Sequence, residues 1–224
     1  MAQLILINDV DSGHDSQCWV VGGRDVPASQ QGLKDSVVIA RHVMENVTNI
    51  DYILSSDLAR VSRILHHLRV NDKHRVMVKI SENLRERNFG VLNCTNINML
   101  GGFKSDLFQH ARICAEGGES ISQCSDRMTN MVASHLLKVD GNVIVLSHSF
   151  ACNITFNSLL GRKLTDVYPF WLRKGSYAVL SKDAGLSPWF VFEKAFNALE
   201  DKQYSLKDIE DEFNEINHIS SPAS

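Results

Sequence analysis

The chain has 224 residues, 44% hydrophobic and 22% charged, with a formal net charge of -3. Such a chain is long enough to bury one substantial core, and its acidic balance argues against general nucleic-acid affinity, which needs a basic face. No apolar run approaches the roughly 20 residues that span a bilayer, and no basic segment precedes a long apolar core at the N-terminus, so neither a membrane partner nor a signal peptide is expected. The five cysteines, Cys18, Cys94, Cys114, Cys124 and Cys152, are odd in number and lack C-x-x-C spacing, which suits reduced thiols in a cytoplasmic protein. Asn-x-Thr sequons beginning at Asn46, Asn93 and Asn153 are then expected to be chance matches.

In chain order, "LILI" (4–7) is a short apolar run suited to a strand covered on both faces, and it leads into Asn8, Asp9, Val10 and Asp11. Gly32 to about Val47 has helical spacing, with Leu33, Val37, Ala40 and Met44 along one side. Asp51–Leu54 reads as a second strand, and Ser55-Ser56-Asp57 can cap a helix from about Leu58 to Leu68. Val76–Ile80 is a third strand. Residues 91–130 are long enough for an inserted helical lid. After a Gly141-Asn142 turn, Val143–Leu146 forms a fourth strand, followed by a helix over Phe150–Leu160 that Gly161 stops. Tyr177–Leu180 and Trp189–Phe192 suit a final strand pair around Asp183-Ala184-Gly185. The acidic, amphipathic stretch from about Glu193 predicts a C-terminal helix and flexible tail over 194–224, beyond a single domain at 1–193.

Alternating strands and helices predict an α/β fold, a three-layer α/β/α sandwich with a mostly parallel central sheet. Sites in such sheets lie beyond the carboxyl ends of the strands. Attention therefore falls on Asn8-Asp9, Ser55-Ser56 and Ser147-His148.

Taken alone, the strand followed by Asp9-x-Asp11 looks like the first motif of the haloacid dehalogenase superfamily, with Ser55 or Ser56 passing for its second. That chemistry needs a late acidic pair to hold magnesium. The late strand "VIVL" is followed instead by Ser147-His148-Ser149.

Five segments resemble a different family, the histidine phosphatase superfamily of phosphoglycerate mutase-like proteins. "GRDVPAS" with Gly32 resembles its GR-x-D-x-P-L-S-x-x-G segment, and "DYILSSDLARV" its second strand with Ser-Ser-x-x-x-Arg. "LRERNFG" resembles its acid-bearing Leu-x-Glu-x-x-x-Gly, "GGES" with Arg127 its lid signature, and "VIVLSHS" its late histidine strand. The resemblance implies a phosphoglycerate mutase-like fold and a cationic pocket in which a phosphohistidine forms without a metal or other cofactor. It places Arg60 at the second pocket arginine, His148 at the second histidine, Glu86 at the proton donor, and Arg24 and Asp25 in the framing loop. Asn8, Arg24, Arg60 and Ser149 would face the substrate. Asn8-Asp9-Val10 fall where the family's Arg-His-Gly would stand, so Asp9 occupies the nucleophile position.

These departures move the pocket about two charge units toward the anionic side. A carboxylate about 4 Å from a phosphate costs on the order of 4 kcal/mol at an effective dielectric near 20. The lost arginine also forfeits a bidentate contact. Asp9 is therefore expected to pair with Arg60 or His148 and close the pocket. Asp9, Asp11, His14 and His148 could in principle hold a divalent metal, although Asp11, His14 and Asp15 read more simply as solvated loop residues. Arg41-His42-Val43 lies mid-helix and is a decoy, and His66-His67 diverge around a helix axis at the surface.

The sequence thus predicts a degenerate histidine phosphatase, a pseudo-phosphatase whose altered cleft serves ligand binding or protein interaction. The alternative is an enzyme of changed chemistry using Asp9, Glu86 and His148 as acid–base groups or metal ligands. Residual phosphatase or mutase action on small phosphoesters comes third. The ligand or protein partner is not legible, and a homodimer is compatible with the pattern.

Overall fold

The computed structural model describes residues 2–14, 19–70, 76–136, 138–165, 172–182, 190–208 and 211. Cys18, Asp15 and the Asp183-Ala184-Gly185 turn lie outside these residues. The strands are β1 (Gln3–Ile7), β2 (Trp19–Val20), β3 (Ile50–Ser55), β4 (Met77–Ile80), β5 (Thr95–Asn96), β6 (Asn142–Leu146), β7 (Ser176–Lys182), β8 (Phe190–Asn197) and β9 (Lys202–Tyr204). The helices are α1 (Gln30–Asn46), α2 (Ala59–Val70), α3 (Phe103–Gln109), α4 (Ile121–Leu136) and α5 (Ser149–Leu159).

A seven-stranded sheet runs in the order β4-β3-β6-β1-β7-β8-β9. β4, β3, β6 and β1 pair in parallel, whereas β7, β8 and β9 continue the sheet in antiparallel pairing. Side chains alternate between its two faces. Leu4, Leu6, Val143 and Val145 join a core with Met128, Phe150 and Phe156 from α4 and α5. Ile5, Ile7, Ile144 and Leu146 join a second core with Ile39, Val43, Ile64 and Leu68 from α1 and α2. Burial of β1 and β6 on both faces explains their unbroken apolar runs and gives the α/β/α layering expected from the sequence.

The register positions the site. Ile7 pairs with Leu146, and Ser55 pairs with Leu146 from the other side. The carboxyl ends of β1, β6 and β3 are therefore level, and Asn8-Asp9, Ser147-His148 and Ser56 emerge along one edge. β7 runs the opposite way, with Tyr177 opposite Ile7. Its incoming segment, with Lys174, reaches that same edge.

Several expected details differ. The buried face of α1 is Gly32, Ser36, Ile39, Ala40 and Val43, while Val37 is 38% exposed. Gly32 explains the rotation: a Cβ there would meet the Asp11 carbonyl oxygen at 2.2 Å, so the helix packs its glycine against the chain after β1. The expected lid at 91–130 runs into α4. Residues 121–130 belong to α4, whose Ile121, Cys124 and Met128 are fully buried. The expected helix from 194 is also displaced. Residues up to Asn197 continue β8, a turn carries Asp201 at φ 49°, and β9 follows. Pairing with β7, and burial of Phe190 and Ala195 in the core on either side of a register shift, outweigh the helical charge pattern there. Helical residues appear at 206–208, and 212–224 lie outside the described residues. No helix among the described residues is long and apolar enough to cross a membrane.

The segment between β4 and α4 is held to the core by Arg87, which is completely buried. Its guanidinium donates to the carbonyl oxygens of Leu107 (2.7 Å), Glu119 (3.0 Å) and Ile113 (3.1 Å). It also lies over the rings of Phe89 and Phe150, at 4.8 and 5.1 Å. Burial depresses the Arg87 pKa, against the pull of surrounding acidic groups. Arg87→Met would leave three carbonyls without their donor and is expected to destabilise by about 3 kcal/mol. Urea unfolding should show a lowered midpoint at an unchanged slope. An unaltered midpoint would deny Arg87 this role.

Candidate functional site

The site is centred on the Asp9 carboxylate, just past the end of β1. Arg60 Nε donates to Asp9 Oδ2 at 2.8 Å, His148 Nδ1 lies 2.7 Å from the same oxygen, and Lys174 Nζ donates to Oδ1 at 2.7 Å. Asp9, Arg60 and His148 are almost completely buried, while Lys174 is 23% exposed and forms the outer wall. Arg60 also donates from Nη1 to the Arg24 carbonyl at 2.9 Å, which ties the framing loop to α2. His148 Nε2 lies 2.8 Å from Ser56 Oγ.

Hydrogen-bond chemistry assigns the imidazole tautomer. Asp9 can only accept, so Nδ1 carries the proton between them. Nε2 of the neutral ring then accepts from the Ser56 hydroxyl. Arg60 Nη2, 3.1 Å from the protonated Nδ1, is a neighbouring cation rather than a donor to it.

Two opposing effects set the ionisation of Asp9. Burial would raise its pKa, but Lys174, His148 and Arg60 outweigh that penalty and hold the carboxyl well below the usual range. For His148 burial prevails. Its pKa is lowered despite the Asp9 hydrogen bond and charge, with Arg60 acting in the same direction as burial.

Asn8 is turned inward and fully buried. Its Nδ2 donates to the Leu172 carbonyl at 2.7 Å and lies 3.1 Å from Ser149 Oγ, and its Oδ1 accepts from the Asp9 amide at 2.8 Å. Asn8 and Ser149 therefore brace β1 and α5 against the segment before β7. Glu86 is likewise committed. Its Oε1 accepts from the amides of Ala151 and Arg87, each at 2.8 Å, and its Oε2 accepts from Phe150 at 3.0 Å. It caps the N-terminus of α5, where His148 offers no side-chain cap, and the helix dipole favours a carboxylate there.

The structure thus brings Asp9, Arg60 and His148 together, with Asn8 and Ser149 alongside. Arg24 contributes its carbonyl, and its exposed side chain points to a neighbouring cleft of about 470 Å³. That cleft is lined by Arg24, Arg85, Glu86, Asn88 and Arg127 among others. Two of its arginines are engaged: Arg85 makes a bidentate pair with Asp57, and Arg127 with Glu119.

The metal arrangement drawn from the sequence is not assembled. Asp11 accepts from Ser29 Oγ at 2.5 Å and from the Gly13 amide, which braces the start of α1, and His14 Nδ1 lies 3.1 Å from the Ser12 carbonyl. Among the described residues no three His, Cys, Asp or Glu side chains converge as a metal site. His42 sits in α1 with Nδ1 2.9 Å from the Tyr177 hydroxyl, and the rings of His66 and His67 on α2 meet edge to face.

Sequence reasoning missed Lys174, which local pattern does not mark. Only the antiparallel pairing of β7 with β1 brings it to Asp9. Ser56 was legible as a helix cap, and it does accept from the Leu58 amide at 3.3 Å. Its contact with His148 depends on the sheet register.

Asp9→Asn removes the anion facing Arg60 and Lys174 and is expected to destabilise by about 3 kcal/mol at pH 7. The Asp9 pKa is depressed on folding, so its contribution is complete above the unfolded carboxylate value near about 3.9. It is lost as the pH falls through the folded value. His148 acts in the same sense below about pH 6.5, because the unfolded imidazole takes up its proton first. Denaturant unfolding of both proteins should give a stability gap that persists at pH 5 and narrows only below about pH 4. A gap that closes between pH 7 and 5 would contradict the depressed Asp9 pKa.

Comparison with solved structures finds many chains of one fold, several of them named as phosphatases. A mutant phosphoserine phosphatase from Entamoeba histolytica, complexed with phosphoserine, aligns with a TM-score of 0.73 at 19% identity, over 88% of this chain and 98% of its own. A mycobacterial glucosyl-3-phosphoglycerate phosphatase complexed with VO3 aligns with a TM-score of 0.73 at 19% identity, over 86% and 98%. A putative α-ribazole-5′-P phosphatase from Escherichia coli aligns with a TM-score of 0.67 at 18% identity, over 86% and 94%. No curated protein matches by sequence. The family model described as the histidine phosphatase superfamily (branch 1) matches residues 12–187, starting just past Asn8-Asp9-Val10. With most of its length matched and its fold shared, the chain belongs to the histidine phosphatase superfamily.

Proposed function

We propose that this chain is a superfamily member that has lost phosphohistidine chemistry and keeps its altered cleft for binding a ligand or a protein partner. The observation that carries this reading is the Asp9 carboxylate held between Arg60, His148 and Lys174. The resemblance sets Asp9 at the nucleophile position and Asn8 at the first arginine. An incoming phosphate would face a buried anion there, with a repulsion on the order of 4 kcal/mol at 4 Å and an effective dielectric near 20. It would also compete with that anion for the same cations. Asn8 cannot take the arginine's place, because its amide is engaged with Leu172 and Ser149. Glu86, at the proton-donor position, has both oxygens accepting backbone N–H groups. The cleft beside the site presents Arg24, Arg85 and Arg127 together with Glu82, Glu86, Glu119 and three asparagines, and suits a polar ligand that both donates and accepts hydrogen bonds. Phosphoesters of the kinds named for the similar structures belong to that class.

A second reading, changed chemistry around Asp9 and His148, is favoured by the alignment of Ser56, His148 and Asp9 in one hydrogen-bonded line. The metal-ligand version of that reading loses its support with Asp11 and His14 directed elsewhere.

The purified protein is expected to turn over neither p-nitrophenyl phosphate nor small phosphomonoesters, and to carry no phosphohistidine when mixed with them. Phosphate release and phosphorus NMR would measure this. Turnover that disappears in Asp9→Ala or His148→Ala would overturn the reading.

A further inference from the structure

The Ser56 hydroxyl, the His148 imidazole and the Asp9 carboxylate form a line whose geometry matches a nucleophile, its base and the group that orients the base. Ser56 Oγ is 2.8 Å from His148 Nε2, and His148 Nδ1 is 2.7 Å from Asp9 Oδ2. Each atom is used as that role requires: the base nitrogen faces the hydroxyl and the other nitrogen faces the carboxylate. The three residues come from the carboxyl ends of three adjacent strands, β3, β6 and β1, so the sheet register sets the line. Its third member exists only because Asp9 stands after β1.

The geometry points to a serine-dependent acyl transfer in which Ser56 attacks a small carboxylic ester, with His148 as base and Asp9 as the positioning residue. The inference rests on the loss of phosphohistidine chemistry proposed above and gives the altered site a different reaction. Ser56 Oγ adds to the ester carbonyl as its proton passes to His148 Nε2. The carbon–oxygen bond to the leaving alcohol then breaks, and Nε2–H protonates the departing oxygen. Water then adds to the acyl carbon as one of its protons passes to His148 Nε2, the bond from that carbon to Ser56 Oγ breaks, and Oγ takes the proton back from Nε2 as the carboxylic acid is released. The net reaction is ester plus water to acid plus alcohol, and no further reactant is needed.

Two N–H donors stand at the start of α2, the Ala59 amide and Arg60 Nη1, three and four residues past Ser56 in the chain. Ser56 is 1% exposed. The exposed loop at Arg24 and Asp25 lies against the start of α2, where Asp25 Oδ1 accepts from the Ala59 amide at 2.7 Å and the Arg24 carbonyl accepts from Arg60 Nη1 at 2.9 Å. An ester reaches Ser56 only once its buried hydroxyl is uncovered, and withdrawal of this loop from α2 is the movement that the inference requires. That movement would also free the two N–H donors, at Ala59 and Arg60, for the oxygen that becomes negative. Gly22 and Gly23 precede the loop, and Gly22 sits at φ 60° against Asn93, where a side chain would clash.

The test is covalent labelling of the full chain with a small alkyl fluorophosphonate, followed by intact-mass and peptide mapping, together with hydrolysis of p-nitrophenyl acetate. The expected result is one adduct, on Ser56, with loss of ester hydrolysis in proportion to labelling. Asp9→Asn, checked for folding by circular dichroism, should label at least about a hundredfold more slowly, because the imidazole loses its orienting partner. Absence of a Ser56 adduct on the wild-type protein overturns the inference without recourse to any variant, as does equal labelling of folded Asp9→Asn. These outcomes are independent of phosphomonoester turnover, so the acyl-transfer inference and the loss of phosphohistidine chemistry can fail separately.

Discussion

A carboxylate buried at the end of a central strand cannot remain ionised without compensation, and the arrangement around Asp9 answers that constraint. Desolvation works against the charge, while Arg60, His148 and Lys174 supply the opposing field. Each partner comes from a different element: Arg60 from the first turn of α2, His148 from the β6–α5 junction and Lys174 from the approach to β7. One anion therefore ties together four parts of the chain at the edge where α/β sheets place their sites. The same contacts occupy the cations that a bound anion would otherwise engage.

The surrounding groups are arranged around that centre rather than around an open pocket. Asn8 fixes the segment that delivers Lys174 by holding the Leu172 carbonyl. Glu86 caps α5 and so sets the position of His148 at its start. Ser147 Oγ donates to the Leu84 carbonyl at 2.7 Å, linking the strand end to the segment that carries Glu86. Arg87, immediately after Glu86, uses its buried charge to hold the segment before α4 through backbone carbonyls. Arg60 and Arg87 illustrate two ways to bury a guanidinium, one against a carboxylate and one against carbonyl dipoles and aromatic faces. Removing the partners of either leaves a charge or a row of carbonyls unsatisfied.

Much of this was legible in the sequence where short-range pattern decides structure. The apolar runs at 4–7 and 143–146 gave the doubly covered strands, and the residues immediately after them gave Asp9 and His148. The family resemblance set Arg60 and His148 beside Asp9, and opposite charge then made pairing with one or the other the expectation; the structure has both. Less was legible where a neighbour distant in sequence decides. The rotation of α1 depends on Gly32 meeting Asp11, and the strand at 190–197 depends on pairing with β7. Lys174 reaches Asp9 through an antiparallel crossover that leaves no local signature. Glu86 was recognised by position, but its work as a cap depends on an α5 terminus more than sixty residues away in sequence. Asp11 reads as a solvated loop residue until Ser29 is placed beside it.

The central claim is that the Asp9 carboxylate fills the place an anion would take between Arg60, His148 and Lys174. A crystal structure of the wild-type protein soaked in phosphate and in vanadate tests it most directly. The account predicts that Asp9 keeps its contacts to all three partners and that neither oxyanion enters among them. An oxyanion bound to Arg60 and His148, with the Asp9 side chain displaced, would contradict it.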